Sequence, residues 1–99
     1  MTPEGKLKSK CAKYLRLLRI RFAHIRHRRG YPDPDTVGWT DFIIPVKDGI
    51  TLFIEFKRDE KQKLEPEQVK FKNYLQDNKH IVYRCWNFKQ FTDMIGMYR

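Results

Sequence analysis

Cysteine and long apolar runs are both scarce in this 99-residue chain. Its two cysteines, Cys11 and Cys85, lie far apart in apolar patterns, so we predict buried free thiols and a reducing, intracellular environment. The histidines have no metal-ligand spacing with these cysteines, which argues against a zinc site. No apolar run approaches the roughly 18 residues that a membrane-spanning helix needs, and no signal-peptide pattern precedes the first predicted helix.

Acidic residues are few relative to basic ones. The 21 Lys and Arg against 12 Asp and Glu leave a formal net charge of +9, which favours a polyanionic partner. An anionic membrane surface competes for this role, but nucleic acid is the simplest candidate and we expect no membrane partner. Arginines concentrate in one stretch of the chain, at Arg16, Arg19, Arg21, Arg26, Arg28 and Arg29. A solvated basic face is one explanation, but we predict phosphate contacts that position a duplex without reading its bases.

Repeats and linkers are absent, so we predict a single domain over residues 1–99. Its elements are, in chain order, a helix from Thr2 and Pro3, a strand over about 22–28, a hairpin over 41–57, a helix from Pro66, a strand over 80–86 and a last helix capped by Asn87 and Gln90. The predicted fold is α/β, in the order α-β-β-β-α-β-α. A four-stranded mixed sheet is covered by helices on both faces, and the last strand lies parallel to its neighbour because a helix connects the two.

Apolar residues at helical spacing predict the buried face of each helix. In the first helix they are Leu7, Cys11, Tyr14, Leu15, Leu18 and Phe22. The inner side of the second helix carries Phe71, Tyr74, Leu75 and Asn78, and the last helix buries Phe88, Phe91, Met94, Ile95 and Tyr98.

The register of the hairpin depends on its loop. Two apolar runs flank Lys-Asp-Gly at positions 47–49, and a three-residue loop with a left-handed Gly49 pairs Val46 with Ile50. A two-residue loop would instead scatter the charged residues of the hairpin over both faces, so we prefer the longer loop. The preferred register also creates one wholly apolar face, formed by Phe42, Ile44, Val46, Ile50, Leu52, Ile54 and Phe56.

That register brings charged side chains together at the open end of the hairpin. Asp41 lies opposite Glu55, and Lys57 projects from the same face because side chains alternate along a strand. Two facing carboxylates repel each other unless a cation lies between them. Oxygen donors with open positions suit Mg²⁺ or Mn²⁺, which substrate phosphate then completes. The alternative is a surface Glu/Lys pair at the end of a half-exposed strand.

Two other acidic residues compete with Asp41. Asp33 and Asp35 each follow a proline in the loop between Gly30 and Gly38, and we predict that they serve as turn residues. In the same region Tyr31 and Trp39 either cap the core or wedge against an unstacked base, and the sequence leaves both options open.

Asp41, a hydrophobic spacer and then Glu55-Phe56-Lys57 resemble the motif of the PD-(D/E)xK nuclease superfamily. The stretches 38–43, 54–57 and 64–68, with Thr2-Pro3-Glu4 at the start, resemble the virus-type replication-repair nuclease (VRR-NUC) domain. The resemblance covers nearly the whole chain and implies a restriction-endonuclease-like fold. Thr40 stands where the motif usually has a proline, which leaves the carboxylate that follows it in place.

The resemblance implies a Mg²⁺- or Mn²⁺-dependent DNA endonuclease. Asp41 and Glu55, with Glu4 and the carbonyl of Phe56, would hold one or two ions. Glu4 lies on the apolar stripe of the first helix, which supports this role, although a first-turn acid that stabilises the helix dipole is the alternative.

The resemblance also assigns roles in catalysis. Lys57 would orient or deprotonate the attacking water, and Gln68 would position the water or the phosphate. Gln68 faces the sheet from the first turn of its helix, although a surface amide is the alternative. A basic nucleic-acid-binding module without chemistry, or a nuclease acting on RNA, remains the competing function.

Stand-alone domains of this family from phage act on four-way junctions, which implies a bacterial or phage-infected cytoplasm and branched or junction DNA as the substrate. Two symmetric nicks need two sites, so we predict a homodimer. The apolar-rich segment Phe88–Tyr98 is the predicted interface, unless all of its apolar residues belong to the core.

Overall fold

In the computed structural model, which describes residues 2–27, 30 and 33–99, helices and strands follow the predicted order. They are α1 (Pro3–Leu17), β1 (Ala23–His24), β2 (Phe42–Pro45), β3 (Thr51–Phe56), α2 (Pro66–Asp77), β4 (Ile81–Cys85) and α3 (Phe88–Tyr98). The strands form one sheet in the order β1-β2-β3-β4, with β1, β2 and β3 antiparallel and β4 parallel to β3. The predicted α/β fold with a four-stranded mixed sheet is therefore confirmed.

The hairpin of β2 and β3 has the predicted register. Phe42 pairs with Ile54, which sets Asp41 opposite Glu55 in the continuation of the ladder. The predicted apolar face points into the core. Val46 and Ile50, at the turn end, are half-buried. The other members are fully buried, namely Phe42, Ile44, Leu52, Ile54 and Phe56.

The hairpin turn contains one feature that the sequence did not indicate. The N–H of Val46 donates to the carbonyl of Ile50 (2.8 Å), which closes the predicted three-residue loop. Lys47–Gly49 forms a 3₁₀ turn in which both Asp48 (φ 62°) and Gly49 (φ 73°) are left-handed. The sequence predicts this conformation for Gly49 alone, but aspartate also tolerates it because its short side chain bonds locally.

Strand β1 is shorter than predicted. Ala23 and His24 pair with β2, whereas the sequence predicted a strand over about 22–28. The reason is that β2 begins at Phe42, so the chain leaves the ladder after His24, and Ile25 donates its N–H to the carbonyl of Asp41 (2.8 Å).

Helix α1 begins and ends at recognisable signals. Thr2 caps it as predicted, with its hydroxyl accepting the N–H of Gly5 (3.0 Å). The helix ends at Leu17, and Arg19 adopts a left-handed conformation (φ 59°). Phe22, predicted on the helical stripe, therefore packs on the core from the segment after the helix. No helix in the described parts of the chain has the length and hydropathy needed to cross a membrane.

The main core lies between the sheet and helices α1 and α3, and α2 covers the opposite face. On the α2 side, Phe71 stacks on Trp39 (ring centroids 4.7 Å apart) and packs edge-on against Phe53 (6.1 Å). Helices therefore cover both faces of the sheet.

Both cysteines are buried and free, as predicted, and burial raises the pKa of the Cys85 thiol to about 11.

The inner side of α2 is narrower than predicted. Leu75 is buried and Phe71 is half-buried, but Tyr74 is 63% exposed because a helix turns about 100° per residue and Leu75 takes the inward position. Asn78 caps the helix, and its side-chain amide donates to the carbonyl of Tyr74 (2.8 Å).

Helix α3 uses its apolar face inside the chain. Phe91, Met94 and Ile95 are buried, Phe88 packs edge-on against Tyr14, and the Tyr98 hydroxyl lies 3.0 Å from that of Tyr83. The apolar surplus that suggested a dimer interface on this helix is therefore accounted for by the core. Met97 is 64% exposed, and the predicted interface on this segment stays a prediction.

Candidate active site

Charged side chains are buried at the open end of the β2–β3 hairpin. Asp41, Glu55 and Lys57 are 4%, 4% and 3% exposed. The strands explain the placement: Asp41 immediately precedes β2, Glu55 lies near the end of β3, and Lys57 follows β3, all on the sheet face covered by α2. The main chain of Lys57 is fixed by β4, since its N–H donates to the carbonyl of Cys85 (2.9 Å).

Asp41 uses both of its carboxylate oxygens. Its Oδ2 accepts the main-chain N–H of Phe56 (2.8 Å), a contact that joins the two strands at their open end. Its Oδ1 lies 3.0 Å from the ammonium of Lys8 on α1. Thr40, at the position of the motif's proline, is buried, and its hydroxyl donates to the carbonyl of Phe42 (3.3 Å).

Glu55 uses one oxygen and leaves the other without a partner. Its Oε1 accepts from the side-chain amide of Gln68 (2.8 Å) and lies 4.0 Å from the ammonium of Lys57, whereas Oε2 is buried with no hydrogen-bond donor. Burial and the nearby charge of Asp41 raise the pKa of Glu55 to about 9, against the opposing effects of Lys57 and Lys8. Without further positive charge, this carboxyl group therefore holds its proton at neutral pH.

Gln68 links α2 to these charged groups. Its Oε1 accepts from the ammonium of Lys57 (2.9 Å) and from the main-chain N–H of Glu65 (2.8 Å) at the start of the helix. The structure thus brings Gln68 together with Glu55 and Lys57, next to the sheet that its first-turn position predicted it would face.

The position of Gln68 depends on a close contact next to it. Gly38 has φ +81°, and a methyl group at this position would overlap the carbonyl of Glu67. The absence of a side chain at Gly38 therefore lets the first turn of α2 approach the segment that leads into β2.

Lys8 was missed by the sequence analysis. Its ammonium lies between Asp41 Oδ1 (3.0 Å) and Glu4 Oε1 (3.7 Å). Burial disfavours its charged form, but the charge and hydrogen bond of Asp41, with the charge of Glu4, outweigh this effect and raise the pKa of Lys8. The i,i+4 spacing from Glu4 was a visible signal for the first of these contacts. Lys8 thus links the two predicted ligands Glu4 and Asp41.

A groove of about 540 Å³ opens beside Asp41, between α1 and the segment around β1. Arg16 and Arg26, both predicted to contact phosphates, line it. Positive or polar side chains that the sequence analysis did not assign also line it, namely Lys8, Ser9, Lys13, His24 and His27. Burial and the charge of Arg26 lower the pKa of His24. Arg19 and Arg21, which were also predicted to contact phosphates, are exposed and do not line the groove, and Arg28 and Arg29 lie outside the described residues.

Three of the competing acidic and aromatic residues in and next to the 30–38 loop are accounted for locally. Asp33 accepts the N–H of Asp35 through Oδ1 (2.9 Å), which makes both turn residues as predicted. Trp39 stacks on Phe71 and so caps the α2 side of the sheet. Tyr31 lies outside the described residues.

The donors at this cluster suit Mg²⁺ or Mn²⁺. The predicted ligands Asp41, Glu55 and the carbonyl of Phe56 all offer hard oxygen atoms, and the unpartnered Oε2 of Glu55 is a buried acceptor that lacks a donor. Within residues 2–27, 30 and 33–99, no three His, Cys, Asp or Glu side chains are grouped closely enough to hold an ion by themselves. An ion at this place would therefore need water or phosphate ligands as well, which is usual for magnesium.

Comparison with known proteins agrees with this architecture. A solved structure described as a VRR_NUC domain matches the chain with a TM-score of 0.76 at 22% sequence identity, and the match covers 100% of both chains. No protein-family model and no curated protein matches the chain. The expectation drawn from the motifs is thus confirmed at the level of the fold: this chain has the fold of a VRR-NUC domain.

Proposed function

We propose that the protein is a Mg²⁺- or Mn²⁺-dependent endonuclease that hydrolyses phosphodiester bonds in DNA. The observation that carries this proposal is the buried group of Asp41, Glu55 and Lys57, next to a groove lined by basic side chains. Burying three charges costs stability, and a protein that bound nucleic acid without chemistry would gain nothing from that cost. Active sites are where such buried, mutually perturbed groups concentrate.

The chain's own residues divide into ion ligands and groups that act on the substrate. Asp41 and Glu55, with the carbonyl of Phe56, are the proposed ligands. When bound there, a divalent ion supplies a water of lowered pKa and stabilises charge on the leaving oxygen. Asp41 is already held in place through Phe56, so its carboxylate is oriented before any ligand arrives.

Lys57 and Gln68 are the proposed substrate-facing groups. The side-chain oxygen of Gln68 accepts from the ammonium of Lys57 (2.9 Å), which fixes the direction of that ammonium within the site. A fixed ammonium can orient the attacking water and interact with the charge that develops on the phosphate. Removing the amide of Gln68 would leave both Lys57 and Glu55 without this contact.

The groove supplies the path of the nucleic-acid backbone. Lys13, Arg16 and Arg26 line it together with Asp41, so a strand bound along these cations also meets the Asp41 carboxylate. Contacts of this kind depend on charge and not on base identity, which suits a nuclease that selects DNA by structure.

Branched DNA and a homodimer complete the proposal. A four-way junction has two equivalent strands to cut, and a two-fold dimer presents two sites related in the same way. The face through which two chains would associate is not assigned, since α3 has its apolar residues in the core.

The experiment compares wild type, Lys57→Ala and Glu55→Gln on duplex, flap and four-way-junction DNA and on single- and double-stranded RNA, with and without Mn²⁺. We expect divalent-dependent cleavage by wild type, reduced about 10²-fold or more in each variant, with DNA binding retained. Lys63→Ala, which changes an exposed lysine in the loop before α2, is the matched control and should cleave as wild type does. Equal cleavage by all four proteins would contradict the assignment of the site, and cleavage of RNA alone would contradict the assignment of the substrate.

A further inference from the structure

A lysine lies between two carboxylates that the sequence analysis named among the metal ligands. The ammonium of Lys8 lies 3.0 Å from Asp41 Oδ1 and 3.7 Å from Glu4 Oε1. Lys8 lies on α1, and its side chain is 25% exposed, so it is held against the sheet and is not a freely mobile surface group. The predicted ligands Glu4 and Asp41 are therefore already bridged by a positive charge of the chain itself.

The remaining acceptor belongs to Glu55, which lies opposite Asp41 in the continuation of the hairpin ladder. Glu55 Oε2 is buried without a donor, whereas Glu55 Oε1 is occupied by Gln68 and Asp41 Oδ2 by the N–H of Phe56. The cluster thus combines one carboxyl oxygen that has no partner, Glu55 Oε2, with one carboxylate pair, Glu4 and Asp41, that already has a cation. In nucleases with two metals, the ions lie about 3.5–4 Å apart and share a carboxylate between them. Asp41 is the carboxylate placed to be shared here.

We propose that Lys8 takes the place of a second divalent ion, so that each chain binds a single ion, on the Glu55 side of Asp41. This inference rests on the proposed metal-dependent function and states how many ions each chain binds. Lys8 is a positioning residue: it neutralises the Glu4–Asp41 pair, and it prevents a second dication from binding there because two cations so close together repel each other. A single ion then acts together with the ammonium of Lys8, which is fixed in position.

The test counts ions bound to the whole chain without DNA. Mn²⁺ is titrated into wild type, and bound and free ions are separated by electron paramagnetic resonance and by calorimetry. We expect one ion per chain for wild type and two for Lys8→Ala, the second bound more weakly and lost again in Lys8→Ala combined with Glu4→Gln. Lys8→Met, which keeps the length of the side chain without its charge, should also bind two and serves as the second variant if Lys8→Ala does not fold.

Lys6→Ala is the matched control. It removes the same charge from an exposed position of the same helix and should leave the count at one ion. Two ions on wild type, or one ion on both Lys8 variants, would overturn the role of Lys8 while leaving a metal-dependent nuclease intact. No bound ion on wild type would instead overturn the metal dependence itself, and with it this inference.

Discussion

The carboxyl group of Glu55 is placed where its ionised form is unfavourable. Its Oε2 has no hydrogen-bond donor in the interior, and Asp41 adds a second negative charge nearby. A buried polar atom without a partner costs about 1–3 kcal/mol. The site is therefore stable in the absence of ligand only when a proton compensates for this charge.

This predicts how stability depends on pH in the absence of divalent ions. The pKa of Glu55 is raised from about 4.5 to about 9 in the folded chain. The folded state therefore keeps a proton that the unfolded state loses between these values, so stability falls as pH rises through this window. Glu55→Gln has no such proton to lose. We expect the melting temperature of this variant, relative to wild type, to increase from pH 5 to pH 9.

Thermal unfolding in EDTA at several pH values measures this difference. Glu67→Gln, which alters an exposed glutamate of α2, is the control and should follow wild type at each pH. Parallel curves for wild type and Glu55→Gln would show that the pKa of Glu55 is not raised in the folded chain.

Among the elements, the contact between the 30–38 loop and α2 determines where Gln68 lies. Gly38 has a left-handed conformation and touches the main chain of Glu67, directly before Gln68. The matched comparison is Gly49, which is also left-handed (φ +73°) but has no atom within 4 Å of an added methyl group. At either position the left-handed conformation of an alanine costs about 1–2 kcal/mol of stability. Only at position 38 must the neighbouring helix also move.

We therefore predict that Gly38→Ala lowers the free energy of unfolding by clearly more than Gly49→Ala does, and that it lowers cleavage as well. The loss of cleavage follows because a shift of α2 removes Gln68 from Lys57 and Glu55. Urea unfolding and cleavage of the folded fraction measure the two effects. Equal losses of stability in both variants, with full activity in Gly38→Ala, would mean that α2 does not depend on this contact.

Sequence patterns were sufficient for some elements and not for others, and the range of the interactions explains the difference. The hairpin register followed from alternation and from one glycine, both local features, and it brought Asp41 opposite Glu55. The length of β1 depends on where its partner β2, which is distant in sequence, begins. Local spacing does not encode that position.

In the candidate active site, too, the range of an interaction determines whether the sequence predicts it. The direction of Gln68 followed from its place in the first turn of a helix, and the resemblance to a known family implied its role. Lys8 was missed because its contact with Asp41 depends on how α1 lies across the sheet, and no periodicity specifies that placement.

For the whole molecule, the distribution of charge predicts how DNA binding responds to salt. Replacing Lys13, Arg16 and Arg26 in the groove by alanine should weaken binding regardless of sequence. It should also reduce the slope of log affinity against log salt by about one unit per lost phosphate contact. Fluorescence anisotropy without divalent ions measures the slope without cleavage.

The control for this prediction removes three lysines that do not line the groove, Lys47, Lys70 and Lys89. This variant has the same net charge as the groove variant. If both variants lose the same slope, the binding is a property of total charge and the groove has no special part in it.

The number of chains in the active particle is the second prediction at this scale. Multi-angle light scattering at micromolar concentration should give twice the mass of the 12.1 kDa chain, and junctions should be nicked on both equivalent strands. A mass near that of one chain, with nicks on one strand, would contradict the homodimer. Met97→Glu, at the exposed apolar position of α3, tests this helix separately and should leave the mass unchanged.

The bond from the main-chain N–H of Lys57 to the carbonyl of Cys85 has a consequence for protein synthesis. A ribosome completes Asp41, Glu55 and Lys57 well before it reaches residue 85, yet this anchor for Lys57 is made only afterwards. A nascent chain, or one released too early, therefore carries the charged residues without the strand that holds them in place. We therefore expect the proposed nuclease activity to appear only after β4 has been synthesised and has paired with β3.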